Sequence, residues 1–299
     1  RQLNAKLNER LDVPENKMCA HRWDEMNPEK FPSMFMKKTA KALLNEKVKK
    51  SPSGSYEEEY GNRHPENEQR VGLRKRMRTM FCDPSRVNAK QIFPHEIAYN
   101  STKATSTANK EMQQALWDSK CLDTLEELKV TREKIAAEIE MAGGADMSAA
   151  VRKALASGNF IGCADVSASM TWVDKPPNQP LNIAMGLTCF LSEIASPAFR
   201  DIALSFTTEP RMFSFKGSGG RKMNVSERMG EISKYSGGST NYEGLHDAVI
   251  DICKAHQVKD DDIPVIVVFT DGNFDTMDSS MNGYSYYSRN TNSLPATEV

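Results

Sequence analysis

Three short segments carry side chains whose types and order could hold a divalent metal ion. Asp165-Val-Ser167-Ala-Ser169 closes an apolar run that begins at Phe160. Thr240 lies in Gly237-Gly-Ser-Thr-Asn, and Asp271 lies in Thr270-Asp-Gly at the end of a second apolar run from Val265. Magnesium is small and hard, asks for near-octahedral oxygen ligation and dehydrates reluctantly, so its protein sites combine a few oxygens with retained waters. Two carboxylates, Asp165 and Asp271, and three hydroxyls, Ser167, Ser169 and Thr240, meet that demand without overneutralising the ion. One position then stays open for an external anion, the carboxylate of a partner's Asp or Glu or a phosphate, drawn by a half-screened cation. Either Asp-X-Ser-X-Ser or Thr-Asp-Gly alone reads as a polar exit from a strand. Their occurrence together, in this order, points to a site for Mg2+ or Mn2+.

The elements that must position these residues follow from periodicity. Phe160–Val166 predicts a buried strand. Leu181, Ala184, Met185, Leu187 and Leu191 have helical spacing, with Pro180 placed to start the helix. Asp201–Phe206 and Arg211–Phe215 alternate apolar with polar and predict two strands joined by a turn at Glu209-Pro210. Val225–Tyr235 predicts a helix ended by Gly237-Gly238, Tyr242–His256 another, and Pro264–Thr270 a strand buried on both faces. Strand and helix alternate, which predicts an α/β domain with a mostly parallel sheet flanked by helices. Ligands bind outside the carboxyl ends of strands in such sheets, which is where the metal-binding loops fall.

These loops resemble the metal-ion-dependent adhesion site of the von Willebrand factor A domain, a Rossmann-like fold. Upstream, Val13-Pro-Glu-Asn-Lys-Met-Cys-Ala-His-Arg-Trp-Asp-Glu-Met-Asn27, Phe31-Pro-Ser-Met-Phe-Met-Lys-Lys38 and Asn88-Ala-Lys-Gln-Ile-Phe-Pro-His-Glu-Ile97 resemble a group of proteins defined by the domain of unknown function DUF2828. That group is related to the Ro autoantigen (TROVE) architecture. The resemblance runs from Val13 to Asp275, with a poor match in its middle. It implies an intracellular protein, cytoplasmic or nuclear and not secreted, whose Ro-type relatives bind RNA through a helical ring. The chain departs from the pattern at Ala168, where glycine is usual, and at Asn241, where aspartate is common. It also ends soon after Asp275, so the C-terminal part of the A domain is expected to be incomplete and the chain to be a fragment.

Four segments are expected. Residues 1–142 form a mainly helical region with a flexible insertion near 47–68, and 143–157 a linker and lead-in helix. Residues 158–275 form the A-like domain, and 276–299, rich in Ser, Asn, Tyr and Thr, an irregular or disordered tail. Within the first segment Leu116–Ala142 predicts a long amphipathic helix or a helical hairpin. Arg70, Arg74, Lys75, Arg76 and Arg78 cluster tightly enough to contact nucleic-acid phosphates. A solvated helix face with Val71, Leu73, Met77 and Phe81 as its packing side explains the cluster slightly better.

Composition narrows the rest. Lys and Arg number 39 against 40 Asp and Glu, so no global field announces nucleic acid. No window approaches the roughly 18 apolar residues of a membrane span. The six cysteines lack metal-like spacing and read as reduced thiols. No P-loop, dinucleotide fingerprint or nucleophile elbow is present. A phosphotransferase built on Asp165 would want a second acid where Ser167 stands, and His246 falls inside a predicted helix. The expected function is a non-catalytic, metal-dependent binding or assembly module that captures an exposed Asp or Glu of a protein partner. An RNA-associated component like the Ro relatives, a metal-dependent phosphohydrolase and a structural part of a large particle are the alternatives.

Overall fold

The computed structural model describes residues 7–8, 10–50, 56–142, 147–172, 174–237, 242–255, 257–259 and 262–272. In chain order the elements are α1 (Pro14–Cys19), α2 (Ser33–Leu43), β1 (Glu46–Lys50), β2 (Tyr56–Asn62), α3 (Glu68–Phe81), α4 (Pro94–Lys103), α5 (Thr107–Ala142) and α6 (Met147–Ser157). They continue with β3 (Phe160–Asp165), α7 (Pro180–Ile194), β4 (Ile202–Phe206), β5 (Met212–Ser214), α8 (Val225–Ser233), α9 (Tyr242–Ala255) and β6 (Val265–Phe269). The result is an α/β protein in which a helical N-terminal region precedes a four-stranded mixed sheet flanked by helices.

Strand order is β5-β4-β3-β6, with β3 parallel to both β4 and β6 and β5 antiparallel to β4. Every residue of β3 and of β4 is buried, as expected of strands covered on both faces. The chain leaves β3 towards β4 on one side and returns as β6 on the other. The strand order therefore reverses at the β3/β6 pair, and the crevice beyond their carboxyl ends is where such sheets take ligands. Local chemistry starts the covering helices. Pro180 opens α7, and α8 carries a capping box in which Asn224 Oδ1 accepts from Glu227 N at 3.0 Å while Asn224 N donates to Glu227 Oε2 at 2.8 Å.

Two expectations about the N-terminal region change. The segment 47–68, expected to be an aperiodic loop, contains the antiparallel pair β1–β2, and α3 begins at Glu68 within it. The register sets Lys49 opposite Glu57 and Val48 opposite Glu58. The apolar alternation that reveals a strand in sequence is absent from both strands. The alternative of a helical hairpin after Leu116 gives way to one continuous helix, α5, of 36 residues and about 54 Å at 1.5 Å per residue. The proposed tail, 276–299, and the Gly143-Gly144 linker lie outside the described residues.

The helical region and the sheet share one core, so the sequence boundary at 143–157 does not separate two independently packed bodies. Trp117 of α5 is fully buried, meets the Phe190 ring edge-on at 5.6 Å and points Nε1 at Glu193 Oε1 at 3.4 Å. Gln114 Oε1 accepts from Val225 N at 3.1 Å, tying α5 to the start of α8. Helix α4 lies so close to α7 that a Cβ on Gly186 would stand 2.6 Å from His95 Cα. His95 is held there partly buried. Burial pushes its imidazole below the usual value, against the raising influence of Glu96 and of the Asn178 side chain. A depressed base favours the neutral form in the fold, so its contribution is complete above the unfolded value near 6.5 and is lost as pH falls through the folded one. We expect the melting temperature to drop between about pH 7.5 and about pH 5.5, and the drop to shrink in His95→Gln. Calorimetric scans of both proteins at the two pH values check this.

At the amino end of the sheet sits a buried ionic cluster. Arg228 of α8 is fully buried and contacts Asp201 Oδ1 at 2.5 Å and Glu193 Oε1 at 3.0 Å. Lys222 reaches Glu193 Oε2 at 2.5 Å from the surface side. All six cysteines are unpaired, with Cys19 and Cys82 exposed and Cys121, Cys163 and Cys189 buried. Burial raises the buried thiols, Cys189 to about 12, so they stay protonated and unreactive. Labelling with a thiol-specific reagent near pH 8 should modify Cys19 and Cys82 first, and those three only on unfolding.

Candidate metal centre

Strand pairing brings the two acidic loops together. Ala164 pairs with Phe269 at the ends of the parallel strands β3 and β6, so the residues that follow, Asp165 and Thr270, emerge side by side. Asp165 is 0% exposed. Its Oδ1 accepts from Ser167 N at 2.9 Å, a side-chain turn that bends the chain out of the strand. Its Oδ2 accepts from Thr270 Oγ1 at 2.6 Å, and the same hydroxyl accepts from Gly272 N at 3.1 Å. Gly272 takes a φ of 80°, a left-handed conformation that glycine adopts freely and that closes the Thr-Asp-Gly turn.

After Ser167 the chain makes a single 3-10 turn, Ala168–Thr171, in which Met170 N donates to Ser167 O and Trp172 N to Ser169 O. That turn places Ser167 Oγ and Ser169 Oγ 3.0 Å apart. Ala168 is exposed and is not among the residues with positive φ, so its methyl group fits without strain. Asp271 follows Thr270 directly and is exposed at the mouth of the crevice. The third loop is anchored at its start, where Gly237 N donates to Val166 O at 2.7 Å. Thr240 itself lies outside the described residues. Thr270 is not among the residues that the sequence pattern marks as ligands. The signal was present as a hydroxyl residue immediately before Asp271, but its role depends on register.

The electrostatics fit a cation. A buried carboxylate is costly unless paired, and among the described residues no Lys, Arg or His lies within ion-pair distance of Asp165. Its two hydrogen bonds orient both oxygens but bring no positive charge. Among the described residues no group of three or more His, Cys, Asp or Glu is placed to hold a metal. The oxygens gathered here are one buried carboxylate, two serine hydroxyls and an adjoining exposed carboxylate, a hard set that suits Mg2+ or Mn2+ rather than a thiolate- or imidazole-seeking ion. Asp165, Ser167 and Ser169 are brought together, with Asp271 one residue from Thr270.

The cationic segment is used differently. Arg70 lies over the Trp23 ring at 4.7 Å and donates to Ala42 O at 3.2 Å. Arg74 donates to Asn62 Oδ1 at 3.2 Å, and Arg76 reaches Trp23 O at 2.9 Å and Asp24 O at 3.0 Å. Arg78 forms a two-pronged pair with Glu111 at 2.6 and 2.7 Å. The four guanidinium groups staple α3 to the segments around it, and Lys75 is exposed. A cleft of about 810 Å3 lies away from the two acidic loops, between α3, α5 and the start of α8, and is lined by residues such as Phe81, Ala115 and Asp118.

Residues 159–293 match the family model described as Domain of unknown function (DUF7788). The match starts one residue before β3, takes in both acidic loops and covers a little under half of the chain. No curated protein and no solved structure matches the chain. Among the described residues no helix is long and apolar enough to cross a membrane.

Proposed function

We propose that residues 158–275 form a von Willebrand factor A-type domain that binds Mg2+ or Mn2+ and uses the ion to capture an acidic side chain of a protein partner. The observation that carries this reading is Asp165, a fully buried carboxylate at the point where strand order reverses, fixed by Ser167 N and the Thr270 hydroxyl and lacking a described cation. Asp165, Ser167 and Ser169 would hold the ion with Asp271 and Thr240. The bound ion would supply positive charge to an incoming carboxylate. The sheet order, with an antiparallel edge strand and parallel strands on either side of β3, supports the A-type fold. The resemblance of the upstream blocks to DUF2828 and the Ro architecture belongs to the same proposal.

Binding is favoured over turnover because Ser167 stands where a phosphotransferase would carry its second acid. Protein is favoured over RNA because the α3 arginines have intramolecular partners and the net charge is -1. Unpaired thiols fit a reducing, intracellular compartment. The deciding experiment is a pull-down with the tagged chain in Mg2+ or in EDTA, read by mass spectrometry and nucleic-acid staining. Proteins retained in Mg2+ and released by EDTA, and absent with Asp165→Ala, are the expected result. Retention that ignores EDTA, or that nuclease abolishes, would refute the reading.

A further inference from the structure

Trp172 is 78% exposed, the most exposed large apolar side chain among the described residues, while Trp23 and Trp117 are buried. Its backbone is not loose. Trp172 N donates to Ser169 O at 3.1 Å, and the preceding carbonyl, Thr171 O, accepts from Gln179 Nε2 at 2.9 Å. The Trp172 backbone thus belongs to the turn that carries the Ser167 and Ser169 hydroxyls, and that turn is tied to Gln179 at the start of α7. It lines a shallow concavity of about 660 Å3 with Asp174, Lys175 and Asn178. Asn178 lies near enough to His95 to oppose the lowering of its imidazole by burial, and the His95 ring stacks on Phe93 at 5.7 Å and 17°. Phe93 is 65% exposed. Two large exposed aromatics, one from each half of the chain, therefore stand at the two ends of a run through His95 and Asn178.

Folding does not account for an indole left in water on a fixed turn. Tryptophan held at a rim is the residue type that anchors protein interfaces, where water exclusion around an aromatic group strengthens a neighbouring polar contact. A metal site alone would accept any carboxylate, so the selectivity must come from what surrounds it. Trp172 lies three residues beyond Ser169, about 6 Å along a 3-10 turn, and an extended chain advances about 3.3 Å per residue.

We propose that the partner presents an extended segment in which an Asp or Glu stands one or two positions from an aromatic or large aliphatic residue. The carboxylate completes the metal site and the apolar group packs on Trp172, with Phe93 extending the surface. The proposal rests on the metal-site reading, and the experiment separates the two. A displayed random peptide library is panned on the full chain in Mg2+, and selected peptides are measured by fluorescence anisotropy against the wild type, Trp172→Ala, Trp172→Phe and Asp165→Ala, with Mg2+ affinity of each followed by calorimetry. Enriched peptides should pair an acid with a nearby apolar residue. Trp172→Ala should weaken them about 30-fold without changing Mg2+ affinity, and Trp172→Phe should recover much of the loss. Peptides enriched for acid alone that bind Trp172→Ala equally well would overturn the proposal and leave the metal site standing. Paired peptides weakened by Trp172→Ala but indifferent to EDTA and Asp165→Ala would keep the role of Trp172 and remove the metal. An empty selection, or oligouridylate displacing the peptides and binding more tightly than they do, would also overturn it.

Discussion

Asp165→Ala should lose measurable Mg2+ binding in titration calorimetry while keeping the wild-type circular dichroism spectrum. The side chain lies at the end of β3, and the strand's register with β4 and β6 depends on backbone bonds that the substitution leaves in place. The stability effect changes sign with the ion. In EDTA the wild type carries a buried carboxylate with no described cation, so Asp165→Asn, which keeps the shape and removes the charge, should melt no lower than the wild type. With Mg2+ at about a hundredfold excess over Kd, ligand linkage stabilises the wild type by about 2.7 kcal/mol and leaves the variant unmoved. For a domain of this size that is roughly 5–10 °C in Tm. Thr270→Val is the companion test. It leaves one buried Asp165 oxygen without its hydroxyl donor, which should lower stability by about 1–3 kcal/mol and weaken Mg2+ binding by misorienting the carboxylate. Unchanged Mg2+ binding in Asp165→Ala would sink the assignment.

The legible parts of the molecule were those in which local pattern and tertiary environment agree. The apolar run ending at Asp165 is a strand covered on both faces, and the Leu181–Leu191 spacing is a helix because one side of it faces β3, whereas β6, expected to be buried on both faces, is only half-buried because it ends the described strand order. Side-chain roles that depend on distant partners were hidden. Thr270 reads as a turn residue until the Ala164–Phe269 pairing sets it beside Asp165. The α3 cations read as a solvated helix face, with a phosphate-binding run as the alternative, whereas Arg76 finds its acceptors 52 and 53 residues away and Arg78 its carboxylate 33 residues away. The common core was hidden for the same reason. Nothing around Gly186 announces that His95 will approach to within the space of a methyl group. The β1–β2 pair escaped because neither strand has the apolar alternation by which a strand shows in sequence.

Arg228→Ala should be the most destabilising single substitution of a charged residue, by about 3–5 kcal/mol, because it removes the cation from a buried cluster and leaves the anions in place. Arg228 is fully enclosed, donates to Ser192 Oγ at 2.9 Å and Met223 O at 3.2 Å, and lies over the Phe215 ring at 4.9 Å. Its loss leaves Asp201 with no described cation. Glu193 retains Lys222 and the Trp117 indole, so the larger share of the penalty falls on Asp201. Denaturant titration should show a lower midpoint with an unchanged slope. Arg228→Met, which refills most of the volume without the charge, separates a cavity from an unpaired charge: little recovery means that the uncompensated Asp201 sets the effect, and near-complete recovery means that lost packing does. Arg228→Lys restores charge but not the two-pronged geometry and should fall between the two. Mg2+ affinity should be the same in Arg228→Lys as in the wild type, since the cluster sits at the amino end of the sheet and the two acidic loops proposed to hold the ion leave its carboxyl end.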